Sequence, residues 1–172
     1  MLAVALVLIF CYFRLARAAT AEQRALGHLI QSIQARNQEI PELIHLLIDY
    51  AQQRTARRAV IHLAAGRTGS EAALGRLPRA SLSAVWSQLQ RGEQQVGRAL
   101  EEVGRLAREQ KNLAGSEVFQ RQLEIVRQKQ GRIAPLELSY RSASEHYAAL
   151  CERIPYRWLT ALVPRPPPPA PT

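Results

Sequence analysis

The sequence predicts an all-α protein, built as a membrane-anchored antiparallel bundle of about four long helices. Ala, Leu, Arg, Gln and Glu dominate its 172 residues, and these residue types favour helix. Apolar residues recur at helical intervals along most of the chain, as on the buried face of a helix. The chain contains no Asn-Gly or Asp-Gly pair, which would favour a β-hairpin. These observations together favour helices packed side by side over any sheet.

The N-terminal segment predicts a transmembrane anchor within residues 1–19. Residues 2–13 carry no charge and no helix breaker, and Arg14 and Arg17 follow directly. The residues expected to contact lipid are Leu2, Val4, Leu6, Leu8, Ile9, Phe10, Tyr12 and Phe13. A helix over residues 1–13 spans only about 20 Å, whereas the hydrocarbon core of a bilayer is about 30 Å thick.

Three explanations reconcile this short segment with a membrane span. The charged ends of Arg14 and Arg17 reach the interface, so that neighbouring Leu and Ala residues lengthen the apolar stretch. Alternatively, the true start lies upstream, or a signal peptidase cleaves at Ala16-Arg17-Ala18, although no basic residue precedes the segment. If the segment is retained, Arg14, Arg17 and Arg24 predict a single-pass inner-membrane protein whose body is cytoplasmic.

Residues 20–163 predict the helical bundle. The first helix is expected to continue from the anchor to about Asn37, and Pro41 marks a kink or the start of a second helix. This second helix is expected to end at Gly66, because glycine is common just after a helix. Residues 66–81 contain three glycines and a proline, and they predict a long loop.

A seven-residue apolar repeat, typical of coiled coils, predicts a third helix from Ser81 to about Leu113. The repeat consists of Leu82, Leu89, Val96 and Val103. Ser116 is expected to cap a fourth helix, which bends at Pro135 and ends at Pro155.

The C-terminal residues predict two further features. Trp158, Leu159 and Leu162 belong to a short apolar and basic stretch that suits a lipid surface or the end of the bundle. Residues 164–172 are mostly proline, which predicts a polyproline II tail outside the core.

Two stretches carry a resemblance to a known family. Residues 36–44 read RNQEIPELI and are followed by Asp49-Tyr50-Ala51; residues 114–119 read AGSEVF and are followed by Gly131-Arg132-Ile133-Ala134. In spacing and landmarks this pattern resembles the LemA family, over roughly residues 12–163. The resemblance implies a bacterial protein with one N-terminal membrane helix followed by a bundle of long helices. The family has no established enzymatic reaction, so the resemblance implies no catalytic residues.

The chain is strongly basic, with a formal net charge of +9. Such a charge favours anionic lipid, nucleic acid or an acidic protein as a partner. Four arginines form a candidate basic patch: Arg54, Arg57, Arg58 and Arg67. An ordinary solvated face also explains this patch. Nucleic acid is disfavoured, because aromatic residues do not alternate with the arginines and no recognition motif occurs.

One pair of residues has the spacing of metal ligands. Glu42 and His45 lie three residues apart, which places a carboxylate and an imidazole on one helix face, as in di-iron bundles. Such sites need a second Glu-x-x-His pair, and the sequence contains none. Cys11 and Cys151 are far apart in sequence and lack the spacing of zinc ligands. We therefore expect no metal, no cofactor and no catalytic residues.

The sequence thus favours a non-enzymatic membrane scaffold that binds an unidentified protein partner. Exposed apolar residues of the third and fourth helices would form the contact, either with that partner or with a second copy of the chain. One alternative is a metal-binding or enzymatic bundle that uses Glu42 and His45. The other is a lipid-binding or membrane-organising protein that uses Trp158 and the arginines.

Overall fold

The computed structural model describes residues 2–50, 54–77 and 82–153, and side chains within 6–49, 56–77 and 85–153. These residues are almost entirely helical, and none of them lies in a β-strand. The prediction of an all-α protein is therefore confirmed. Six helices are described: α1 (Leu2–Tyr50), α2 (Arg54–Arg76), α3 (Leu82–Glu109), α4 (Lys111–Ala114), α5 (Glu117–Gly131) and α6 (Ile133–Glu152).

Helix α1 passes through Pro41 without a break. The sequence predicts either a kink or the start of a second helix at this proline. The second alternative is wrong, because no helix begins there. The neighbours of Pro41 explain why the helix continues, because Ile40 and Leu43 are fully buried in the core. Burial of such side chains contributes about 1.5–3 kcal/mol each, which offsets the hydrogen bond that proline lacks.

Helix α2 begins at Arg54 and continues to Arg76. The predicted loop over residues 66–81 is therefore wrong for residues 66–76, which are helical. Gly66 lies against α3, where an added Cβ would be 2.8 Å from a methyl carbon of Val96 and 3.0 Å from its backbone nitrogen. On α3, Gly92 similarly faces the backbone of Ser70. The glycines thus allow two helix backbones to approach closely instead of ending a helix.

The predicted seven-residue repeat lies on the buried face of α3, as far as its side chains are described. Leu89, Val96 and Val103 are buried, while the side chain of Leu82 lies outside the described residues. After the single turn of α4, the Ser116 side chain accepts a hydrogen bond from the backbone N–H of Phe119 and caps α5. This cap is as predicted.

The predicted fourth helix is two helices in the structure. Helix α5 ends at Gly131 and α6 begins at Ile133, so Pro135 lies in the first turn of α6. The predicted bend at Pro135 within one helix is wrong, because the helix is interrupted at Arg132, three residues before the proline. In the first turn of a helix a proline leaves no intrahelical hydrogen bond unmade, so Pro135 suits this position.

The chain divides into two compact units. Among the described residues, the first comprises those up to residue 29 together with 134–153, and its core contains Cys11, Leu15 and Ala18 of α1 with Tyr147 and Leu150 of α6. The second comprises residues 30–133, in which α1, α2, α3 and α5 surround a larger apolar core. Its fully buried residues include Leu43, Leu63, Val96, Leu113 and Phe119.

Candidate functional site

A buried arginine belongs to the second unit. Arg36 of α1 is 0% exposed, and its guanidinium forms an ion pair with the carboxylate of Glu93 on α3. A second hydrogen bond of this pair joins Arg36 Nη2 to Glu93 Oε1 at 2.9 Å. Arg36 Nη1 also donates to the side-chain oxygen of Gln130 on α5 at 2.6 Å. The two contacts with Glu93 use both carboxylate oxygens, a geometry that arginine favours.

The network extends to α2 through Asn37. Arg36 donates to Asn37 Oδ1 from Nη2 at 2.6 Å, and Asn37 Nδ2 donates to the hydroxyl of Ser70 at 3.1 Å. Ser70 in turn donates to the backbone carbonyl of Arg67 at 2.9 Å. We call Arg36, Asn37, Ser70, Glu93 and Gln130 the polar network. It connects all four long helices of the second unit.

Charge burial explains why the network is so complete. An unpaired guanidinium in an apolar core costs several kcal/mol, so a buried arginine needs both a counter-charge and further acceptors. Arg36 has Glu93 as its counter-charge, and Gln130 and Asn37 supply the remaining acceptors. Throughout the described side chains, no buried nitrogen or oxygen lacks a hydrogen-bond partner. The polar network is therefore suited to fix how the helices pack, because its side chains form hydrogen bonds with one another.

Two of the five residues of this network lie in a motif of the sequence. Arg36 and Asn37 belong to the stretch that resembles the LemA family, whereas Ser70, Glu93 and Gln130 belong to no motif. A signal for Glu93 and Gln130 is nevertheless present. Glu93 lies between Leu89 and Val96 on the apolar face of α3, and Gln130 follows the apolar residues of α5 at helical spacing. A charged or amide residue on the core face of a helix indicates a buried polar partner.

A second polar cluster joins α1 to α5 near the surface. Lys129 Nζ lies 2.7 Å from Glu39 Oε1 and also donates to the carbonyl of Ala35 at 3.1 Å. Gln122 Nε2 donates to Glu39 Oε2 at 3.0 Å. The hydrogen bond from Lys129, and then that from Gln122, hold the pKa of the Glu39 carboxyl below its ordinary value of 4.5.

The predicted membrane span is contradicted. Within the described part of the chain, no helix has an apolar stretch long enough to cross a bilayer. Arg14, Arg17 and Glu22 follow closely after Phe13 and interrupt the apolar run. The single-pass inner-membrane location is therefore wrong, and the cytoplasmic placement of the body loses its basis because it depends on a span.

The residues predicted to contact lipid are nevertheless exposed at the start of α1. Those with described side chains are Leu6, Leu8, Ile9, Phe10, Tyr12 and Phe13, with exposed fractions from 40% to 65%. The side chains of Leu2 and Val4 lie outside the described residues, as do Trp158, Leu159, Leu162 and the proline-rich tail.

The described arginines of the candidate basic patch are spread along α2. Arg57 and Arg58 are exposed near the start of α2, and the side chain of Arg54 lies outside the described residues. Arg67 is about 13 Å further along the helix axis, at 1.5 Å per residue. There its Nε donates to Glu71 Oε1 at 2.8 Å, so its charge is partly neutralised.

Glu42 and His45 are both exposed on α1. Among the described residues, no group of three or more His, Cys, Asp or Glu side chains is arranged to hold a metal ion. The pair therefore has no third ligand near it in the part of the chain that the structure describes.

The fold and the polar network define the class of protein: an all-α helical bundle with a buried charged centre. Comparison with protein-family models, curated proteins and solved structures gave no match to this chain. The resemblance to the LemA family therefore stays a prediction.

Proposed function

We propose that this chain is a non-catalytic helical scaffold of the LemA type, which attaches to an anionic lipid surface through the first turns of α1 and presents its bundle to a protein partner. The observation that carries the proposal is an exposed apolar face. Leu6, Ile9, Phe10 and Phe13 have helical spacing and fall on one side of α1. Phe10 and Phe13 are each 65% exposed, which is unusual for two large rings on one face.

The opposite side of the same turns is buried. Cys11, Leu15 and Ala18 pack with Tyr147 and Leu150 within the first unit. The buried side holds α1 in place, so the exposed rings are not needed for the core of this unit. A helix held on one side and apolar on the other is suited to contact a lipid interface.

Arginines continue the exposed face towards the C-terminus of α1. Phe10, Arg17 and Arg24 follow one another at seven-residue intervals, and both arginines are exposed. In this arrangement the rings enter the interface while the guanidinium groups bind lipid phosphates nearby. A helix that lies on the lipid interface needs only a few apolar turns. The apolar stretch of α1, which is too short to cross a bilayer, is therefore long enough for this contact.

The scaffold part of the proposal depends on the resemblance and on the packing of the bundle. We propose that the long helices pack antiparallel, as in the expected fold. Two contacts support this for α2 and α3, because Gly66 adjoins Val96 and Ser70 adjoins Gly92. A bundle fixed by a polar network is a stable surface for a protein partner or for a second copy of the chain.

Vesicle sedimentation of the full chain tests the lipid contact. We expect the wild-type chain to bind vesicles that contain anionic phospholipid and to bind neutral vesicles less. A Phe10→Ser/Phe13→Ser variant should lose most of this binding, because it removes both rings from the interface.

A matched control tests whether the loss of vesicle binding is specific to the exposed face of α1. Val118 and Leu138 are 64% and 65% exposed on other helices, so a Val118→Ser/Leu138→Ser variant removes similar apolar area elsewhere. It should bind vesicles like the wild type. Equal binding by all three proteins, or no binding at all, would refute the lipid contact; self-association that depends on Phe10 and Phe13 would instead assign this face to a second copy.

A further inference from the structure

We propose that the second unit contains a binding site for a phosphate-bearing anion, in a groove between α2 and α3. The groove has a volume of about 370 Å³ and is lined by His62 of α2 and by Arg91, Gln94, Gln95 and Arg98 of α3. Each lining side chain carries at least one N–H donor, and the two arginines carry fixed positive charges. The lining contains no carboxylate.

Helix geometry explains why these donors converge. Arg91, Gln94, Gln95 and Arg98 are spaced by three, four and seven residues, so they lie on one face of α3 across two turns. His62 precedes Gly66 by one turn on α2, and Gly66 lies against the backbone of Gln95 and Val96. The close approach of the two backbones at Gly66 therefore places the imidazole beside the arginine face.

The neighbouring contacts leave the arginine charges available. Arg91 donates from Nε to the backbone carbonyl of Ser87 at 3.2 Å, which orients its guanidinium without neutralising it. Arg98 forms no ion pair or hydrogen bond with any described residue. Outside the lining, Glu102 Oε2 lies 3.5 Å from Nδ1 of His62, so this carboxylate contacts the imidazole and neither of the two arginines.

The size and charge of the groove favour a ligand larger than a single ion. Arg91 and Arg98 are separated by about 10 Å along the helix axis, at 1.5 Å per residue. Arginine side chains that start from backbone positions this far apart are long enough to converge, so each guanidinium can bind a different phosphate of a diphosphate, with the glutamine amides donating between them. A free phosphorylated molecule and a lipid headgroup share this chemistry.

Calorimetric titration of the full chain with inorganic pyrophosphate tests the site. We expect binding that weakens at least about tenfold in an Arg91→Gln/Arg98→Gln variant, since two charge-assisted hydrogen-bonding groups are lost. The control is Arg105→Gln/Arg108→Gln, which removes the same charge from exposed positions of α3 outside the lining. It should retain binding within about twofold, as expected for screened surface charges.

A second arm distinguishes the source of the phosphate. Vesicles containing phosphatidic acid are tested with the Phe10→Ser/Phe13→Ser background, so that the α1 face does not contribute. Vesicle binding that depends on Arg91 and Arg98, without pyrophosphate binding, would assign the groove to a lipid headgroup. Failure in both arms, or equal losses in the groove variant and its control, would overturn the site while leaving the proposal for α1 unaffected.

Discussion

Arg36 and Glu93 form an ion pair across 57 residues of sequence, and the arginine is wholly buried. The pair lies on α1 and α3, with Gln130 of α5 as a third member and Asn37 as the connection to α2. One guanidinium thus contacts groups that position four helices. We therefore expect the stability of the second unit to depend strongly on the polar network.

Truncation of Arg36 should strongly destabilise the protein. In Arg36→Met the Glu93 carboxylate, 13% exposed, loses its counter-charge, and removal of one partner of a buried pair typically costs about 3–5 kcal/mol. Urea unfolding followed by circular dichroism measures the effect. The double variant Arg36→Met/Glu93→Leu should recover much of the loss, because no isolated charge remains. A double variant no more stable than Arg36→Met would contradict this account.

Gly92 should not tolerate alanine, although alanine favours helix. An added Cβ would lie 2.9 Å from the backbone nitrogen of Ser70, so one of the helices must move. We expect a net loss of about 1–3 kcal/mol in the free energy of unfolding, as for other overpacked sites. Gly97 of the same helix is the control, because nothing lies within 4 Å of its added Cβ. Gly97→Ala should gain up to about 1 kcal/mol from helix propensity.

Acid should weaken the contact between α1 and α5. The hydrogen bond from Lys129 lowers the pKa of Glu39 in the folded state. The ionised carboxyl therefore stabilises the folded state at pH values above 4.5, which is its pKa in the unfolded chain. This contribution is lost as the pH falls from 4.5 through the lower folded value. The free energy of unfolding should therefore fall less steeply with acidification in Glu39→Gln. Lys129→Met should behave similarly, and slopes identical to that of the wild type would exclude this linkage.

Two adjacent residues of α5 should respond very differently to truncation. Phe119 is fully buried in the core of the second unit, whereas Val118 is 64% exposed. Phe119→Ala should cost about 3–5 kcal/mol through lost burial and the cavity that remains. Val118→Ala should stay within about 0.5 kcal/mol of the wild type. Thermal unfolding of both variants checks the difference, and similar losses would mean that α5 packs through another face.

The apolar periodicity of the sequence predicts the helices well, because the core requires it. Leu89, Val96 and Val103 are buried as their seven-residue spacing indicates, and Ser116 caps α5 through its side chain. Local residue preferences fail where tertiary packing competes with them. Gly66 resembles a helix end in sequence, yet it is mid-helix because α3 lies against it.

The polar network and the start of α1 show what sequence reasoning could not determine. Glu93 becomes a partner of Arg36 only when helices distant in sequence are brought together, and no local pattern specifies that pairing. At the start of α1, hydrophobicity predicts a membrane contact but not its form. The same residues that suggest a span are followed by arginines too soon to complete one.

The long sequence separation of the partners of Arg36 also bears on folding kinetics. Arg36 reaches Glu93 across 57 residues and Gln130 across 94, so the three groups meet only after several large loops have closed. Until then the guanidinium keeps its hydration shell, and little is gained by partial assembly. The network should therefore form after the rate-limiting barrier to folding. Its disruption would mainly shorten the lifetime of the native state, with little change in the refolding rate.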